Sequence, residues 1–176
     1  MPDATELELI AQQLRAAEGS AEAGSGSPVL ETVFFRGRAT LVIEPEWIRA
    51  VLARLRERGY GFLASLHGVD YYPHEPRLGV IYELLDMEKV DRITVKLLVA
   101  SATPQVESVT PEWPTADHQE REVYDMFGVV FRGHPNLRRI LMPEDYEGHP
   151  LRRDFPLGGE PVLFTYNESE TRGSTP

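Results

Sequence analysis

For its first 127 positions the chain passes through apolar patterns of helical and strand period, and then the pattern stops. Residues 5–17 place Leu7, Ile10, Leu14 and Ala17 at helical spacing, which predicts an amphipathic helix. "GSAEAGSGSP", 19–28, is a flexible linker in composition, so this helix is expected to pack loosely or against something else. "VLETVFFRGRATLVI", 29–43, holds two β-rich runs around Arg36-Gly37 and predicts a hairpin. Glu44-Pro45 opens a second helix, with Pro45 near the first helical position, where its missing N–H costs nothing. Trp47, Ile48, Val51, Leu52 and Leu55 make its apolar stripe, and Gly59 ends it.

Three strands follow, Phe62 to Tyr72, 77–87 and 92–100, the last two joined by the charged turn "EKVD". Ile93, Val95, Leu97 and Val99 share one face, with Thr94 and Lys96 opposite. A third helix is predicted near 117–127. Asp117 with Glu120 has capping-box form, and Gly128 ends the helix. Glu120, Tyr124 and Phe127 lie on one face of it, and Arg121 and Asp125, four apart, are placed to pair. The fold class these elements define is α+β: a four- to five-stranded antiparallel or mixed sheet with helices on one face, followed by an extended C-terminal arm. The chain divides into an N-terminal helix and linker (1–28), the α+β domain (29–127), the arm (128–160) and a solvated tail (161–176).

The arm has many Gly and Pro and no sustained period, yet it keeps Phe131, Leu137, Ile140, Leu141, Tyr146, Leu151 and Phe155. A free loop of that length and apolarity is uncommon in a compact domain, and a disordered tail would carry fewer large apolar groups. Docking on another surface accounts for both facts. The arm repeats Gly-His-Pro, with His134 and His149 fifteen residues apart, each followed by Leu-Arg-Arg. Gly128–Arg153 contains five arginines against three acids. A cationic arm seeking an acidic groove is the natural reading, and folding back on its own acidic domain stays open beside it. Arginine suits either surface, because it pairs bidentately with carboxylates and stacks on aromatics.

The net charge of −10 argues against a nucleic-acid partner. The chain has no cysteine, which excludes disulfides, thiolate catalysis and cysteine-held iron–sulfur clusters. "MPDATELELI" shows no signal-peptide pattern, and no apolar stretch approaches the ~20 residues that span a bilayer, so membrane association is expected to be indirect. "GYGFLA", 59–64, matches the loose dinucleotide pattern. It follows a helix and precedes a strand, the reverse of what pyrophosphate binding requires. His134 and His149, with Glu144, Asp145 or Asp154, raise the question of a metal. Each histidine precedes a proline, which favours extended geometry, and no helical ligand spacing is present. Glu120, Glu122 and Asp125 have no nucleophile near them in sequence and read as an ion-pair network. No catalytic, cofactor-binding or metal residue is therefore expected.

"EREVYDMFGVVFRGHPNLRRIL" followed by "MPEDYEGHPLRRDFPL" resembles the signature of the 30-kDa subunit family of respiratory complex I, the C-type subunit of the bacterial NADH-quinone oxidoreductases. The resemblance implies a partner-interface role for Glu120, Arg121, Glu122, Asp125, Phe127, His134, Arg138, Arg139, Asp145, His149, Arg152, Arg153, Asp154 and Phe155. It implies a non-catalytic, cofactor-free subunit of the peripheral arm, with NADH, FMN, iron–sulfur clusters and quinone held by other subunits. The implied partners are the 49-kDa-type subunit and the 20-kDa-type iron–sulfur subunit, at the cytoplasmic face of the cell membrane. The equivalent subunit of a membrane-bound hydrogenase, or of another donor-dependent complex, is the alternative.

Overall fold

A computed structural model describes residues 2–18 and 27–156. The expected linker, apart from its last two residues, the last residues of the arm and the whole tail lie outside the described residues. The elements in chain order are α1 (Ala4–Glu18), β1 (Val29–Phe35), β2 (Arg38–Ile43), a 3-10 turn at Pro45–Trp47, and α2 (Ile48–Glu57). Then come β3 (Phe62–Asp70), β4 (Leu78–Asp86), β5 (Asp91–Val99), β6 (Gln105–Glu107), α3 (Ala116–Phe127) and β7 (Val130–Arg132). Five strands form one mixed sheet in the order β1-β2-β5-β4-β3, and β6 and β7 make a separate parallel pair. The fold is the α+β arrangement that the periodicity predicts.

The β1–β2 hairpin closes at Arg36-Gly37, where both residues have positive φ, 51° and 75°, and Phe35 pairs with Arg38. Two such residues match the twist of a two-residue hairpin loop. β2 joins β5 in parallel, and β5 pairs antiparallel with β4 across nine residue pairs. Ile93, Val95 and Leu97 have no exposed surface. Registered beside them on the same face are Leu41 and Ile43 of β2 and Val80, Tyr82 and Leu84 of β4.

All three helices contribute to that one core. Ile48, Val51, Leu52 and Leu55 of α2 are fully buried. The first helix does not pack loosely: Leu7, Ile10, Ala11 and Leu14 are at most 2% exposed, and Glu8 accepts a hydrogen bond from the Thr32 hydroxyl of β1 (2.9 Å). Its apolar stripe supplies burial that the composition of the following linker could not foretell. α3 packs against β3 at Gly68, where an added Cβ would stand 2.4 Å from the Phe127 ring. The opposite face of the sheet, with Thr40, Lys96, Glu83 and His67, lines an open groove.

Residues 128–132, read from sequence as the start of the arm, belong to the domain. They run into β7, and Val129 and Phe131 are buried in the core. The short β6–β7 pair has three residues a side, too few to leave a period in the sequence. The arm proper begins at Gly133.

Candidate partner-docking site

The site is built on α3 and on what its last turn offers to the arm. The helix starts after Thr115, which makes no side-chain cap bond, so the expected Asp117–Glu120 capping box is not formed. Glu120 instead points into the domain with no exposed surface. It accepts from Ser108 Oγ (2.7 Å) and from the Val109 N–H (2.8 Å). Burial raises its pKa to about 7, against the downward pull of those two bonds, with Asp117 and Glu112 adding to the rise.

Asp125 is the second buried carboxylate, and the arm wraps around it. Its Oδ2 accepts three consecutive backbone N–H groups, from Ile140 (3.0 Å), Leu141 (2.8 Å) and Met142 (2.9 Å). Its Oδ1 accepts from Arg139 Nη1 at 2.6 Å. Burial opposes the charge, but these four donors outweigh it and hold the carboxyl below its usual range. The expected Arg121–Asp125 pair is absent. Arg121 donates to the carbonyls of Arg138 (3.1 Å) and Arg139 (3.0 Å), and Arg139 takes its place beside Asp125. Four-residue spacing permits a helical pair, and a partner bringing backbone amides with it competes better.

Both histidines bind backbone carbonyls. A carbonyl only accepts, so His149 donates from Nδ1 to Asp125 O (3.0 Å) and His134 donates from Nε2 to Asp117 O (3.2 Å). His134 Nδ1 accepts from the Asn136 N–H, which completes its tautomer. The carbonyls they use are eight residues apart on α3, ~12 Å along the axis, so the two rings serve separate anchor points. Burial, then Arg152 and Arg139, lower the His149 pKa. Gly128 ends α3 with φ +75°, and an added Cβ would lie 2.5 Å from the His149 ring. The arm is seated directly on that glycine.

Arg152 donates Nε to the Phe127 carbonyl (2.7 Å), and the Leu151 N–H donates to Met126 O (3.1 Å). Together they satisfy carbonyls at the C-terminal end of α3, where a cation is favoured. Phe155 stacks on Tyr146, with centroids 6.3 Å apart. Farther along, Arg77 lies 6% exposed between Asp70 and Asp154 and binds both carboxylates bidentately. The Arg153 N–H donates to Asp70 as well (2.8 Å). The Arg77 guanidinium holds the Asp70 and Asp154 carboxyls below their usual range. Asp70 and Arg77 were not legible from sequence, since their partners in the arm stand 77 or more positions away.

The structure therefore gathers Arg121, Asp125, Phe127, Arg139, His149 and Arg152 around the end of α3, with Asp154 tied to Arg77. It sets His134 at the start of that helix and Glu120 on its inner side. Glu122, Arg138, Asp145 and Arg153 carry side chains outside the cluster. The geometry is that of a strap held to its own domain at three points. No group of three or more histidines and carboxylates that would hold a metal is present among the described residues.

The fold class is thus an α+β domain that bears a strap along one helix, and sequence comparison gives the family. The family model described as "Respiratory-chain NADH dehydrogenase, 30 Kd subunit" matches residues 41–161, from the middle of β2 through the arm. The chain belongs to that family. It is 50% identical over 145 residues to the C-type subunit of the NADH-quinone oxidoreductase of Roseiflexus castenholzii, covering 81% of this chain and 83% of that one. It is 42% identical to NADH-quinone oxidoreductase subunit 5 of Thermus thermophilus, over 73% of this chain and 66% of that protein. Among solved structures it resembles a trypsin-resistant fragment of Nqo5, with TM-score 0.62 and 30% identity, covering 74% of this chain and 98% of the fragment. The fold also recurs in an archaeal membrane-bound sulfane sulfur reductase complex, at TM-score 0.67 and 23% identity, over 94% of this chain and 91% of the matched chain.

Proposed function

We propose that this chain is a cofactor-free scaffold subunit of the peripheral arm of a proton-pumping NADH:quinone oxidoreductase. It supports the subunits that carry electrons to quinone and supplies no reacting group of its own. One observation carries the reading: the polar groups of the signature are used to hold backbone. Arg121, His134, Arg139, His149 and Arg152 all donate to main-chain carbonyls, and Asp125 accepts main-chain amides. Such groups fix the shape of a surface. They are not disposed to bind a substrate or transfer a proton to one.

The partners in this reading are the 49-kDa-type and 20-kDa-type subunits, and attachment to the cytoplasmic face of the membrane runs through them. No helix among the described residues is long and apolar enough to cross a membrane. Pull-down of the tagged full chain from its native membrane, followed by mass spectrometry, tests the proposal. Recovery of both partners with NADH:quinone reductase activity is expected. Recovery of the chain alone, or with enzymes of another electron donor, would overturn it.

A further inference from the structure

The two Leu-Arg-Arg triplets each divide between an inward and an outward arginine. Arg139 is engaged by Asp125 and the Gly148 carbonyl, and Arg152 by the Phe127 carbonyl. Arg138 and Arg153 are exposed, and neither side chain has a hydrogen bond or ion pair among the described residues. Beside them are large apolar side chains facing water: Ile140 is 37% exposed, Leu141 61% and Leu151 54%.

These side chains are displayed on fixed backbone. The Ile140 and Leu141 amides are bound to Asp125 Oδ2, and the Leu151 amide is bound to the carbonyl of the next helical residue, Met126. Both segments thus converge on the last turn of α3 with their backbones pinned. Apolar groups held outward on ordered backbone gain nothing within the chain, and exposed apolar side chains of this size are surface that a partner can cover. Because the backbone is already ordered, a partner would meet a smaller entropic cost on docking. The charge is also distinctive. Of the five arginines between Gly128 and Arg153, Arg132 pairs with Glu107, Arg139 with Asp125 and Arg152 with the Phe127 carbonyl, which leaves Arg138 and Arg153 as outward positive charges on a chain of net charge −10.

We propose that Leu141 and Leu151, flanked by Arg138 and Arg153, are the face of the arm that a neighbouring protein subunit covers. The neighbour that fits has an apolar recess rimmed by carboxylates. Arg139 and Arg152 hold the arm in place and make no contact with it. The inference rests on the scaffold reading and narrows it, since the family signature by itself assigns all four arginines to the interface.

Tagged full-length chains carrying Leu141→Asp with Leu151→Asp, or Arg138→Glu with Arg153→Glu, test this against wild type by pull-down from the native membrane. Each double variant is expected to recover at least tenfold less of the partner subunits. Each is also expected to melt, as an isolated chain, within a few degrees of wild type, because the changed side chains face solvent. Arg139→Ala is expected to lower the melting temperature of the isolated chain clearly. If wild type recovers the partners and the double variants recover them equally, this face is wrong and the scaffold reading stands. If wild type recovers none, the scaffold reading itself fails. A wild-type chain that is a dimer by light scattering and becomes a monomer with Leu141→Asp would give the face to a second copy, overturning the proposal. So would normal melting of Arg139→Ala together with lost assembly.

Discussion

Arg139 places Nη1 2.6 Å from Oδ1 of Asp125, fourteen residues earlier in the chain, and that carboxylate has no exposed surface. The pair joins the arm to the end of α3. With three backbone amides on the other oxygen, both oxygens of Asp125 are engaged by the arm.

Removing Arg139 leaves Asp125 a buried charge with only amide donors. Arg139→Ala is expected to destabilise the isolated chain by about 3 kcal/mol, the lower end for a broken buried pair because the amides remain. Arg54→Ala, on the exposed face of α2 and paired with Glu57 among the described residues, is expected to cost under ~0.5 kcal/mol. Chemical denaturation of the two variants measures the difference, and equal costs would contradict the assignment.

Stability is expected to fall as pH rises from about 4.5 to 7, on account of Glu120. Its folded pKa, about 7, lies above its ordinary 4.5, so the folded state holds a proton that the unfolded state has lost. The full effect is about 3 kcal/mol above pH 7. Glu120→Gln keeps an acceptor for the Val109 N–H and a partner for Ser108, and is expected to flatten this slope. It should stabilise the chain at pH 8 and change little at pH 4.

Acidification acts oppositely through Asp70, Asp125 and Asp154, whose pKa values are all lowered in the folded state. The stability they contribute is present above the unfolded carboxylate range, near 3.8, and is lost as pH falls through their folded values. The two trends together place the maximum of stability near pH 5. Urea midpoints measured from pH 3 to 9 check this.

Gly128→Ala combines a left-handed backbone with a contact at 2.5 Å from the His149 ring. It is expected to cost over ~1 kcal/mol, with the arm displaced from the helix end. Limited trypsin digestion, followed by mass, should then show faster cleavage after Arg138 or Arg153 than in wild type.

The sheet and the helices were legible because burial imposes a period. The Ile93-Val95-Leu97-Val99 face and the Arg36-Gly37 turn follow from residue type and spacing alone. The arm was legible only as a place where period fails while apolar content persists. Its fastening was not legible. Arg77 reads in sequence as the first residue of the 77–87 strand, and its partner Asp154 is fixed by tertiary structure. Spacing likewise proposed Arg121 for Asp125, whereas the folded chain brings Arg139 with three amides in tow. The choice of inward arginine in each Leu-Arg-Arg triplet is set by the position of α3's last turn, which no local pattern encodes.

The central claim is that the arm is seated on its own domain before any partner arrives. Hydrogen exchange of the isolated full-length chain tests it most directly. The amides of Ile140, Leu141 and Met142 are expected to exchange far more slowly than an unstructured peptide, and to lose that protection in Asp125→Ala. Exchange of these amides at unstructured rates in the wild-type chain would contradict the account.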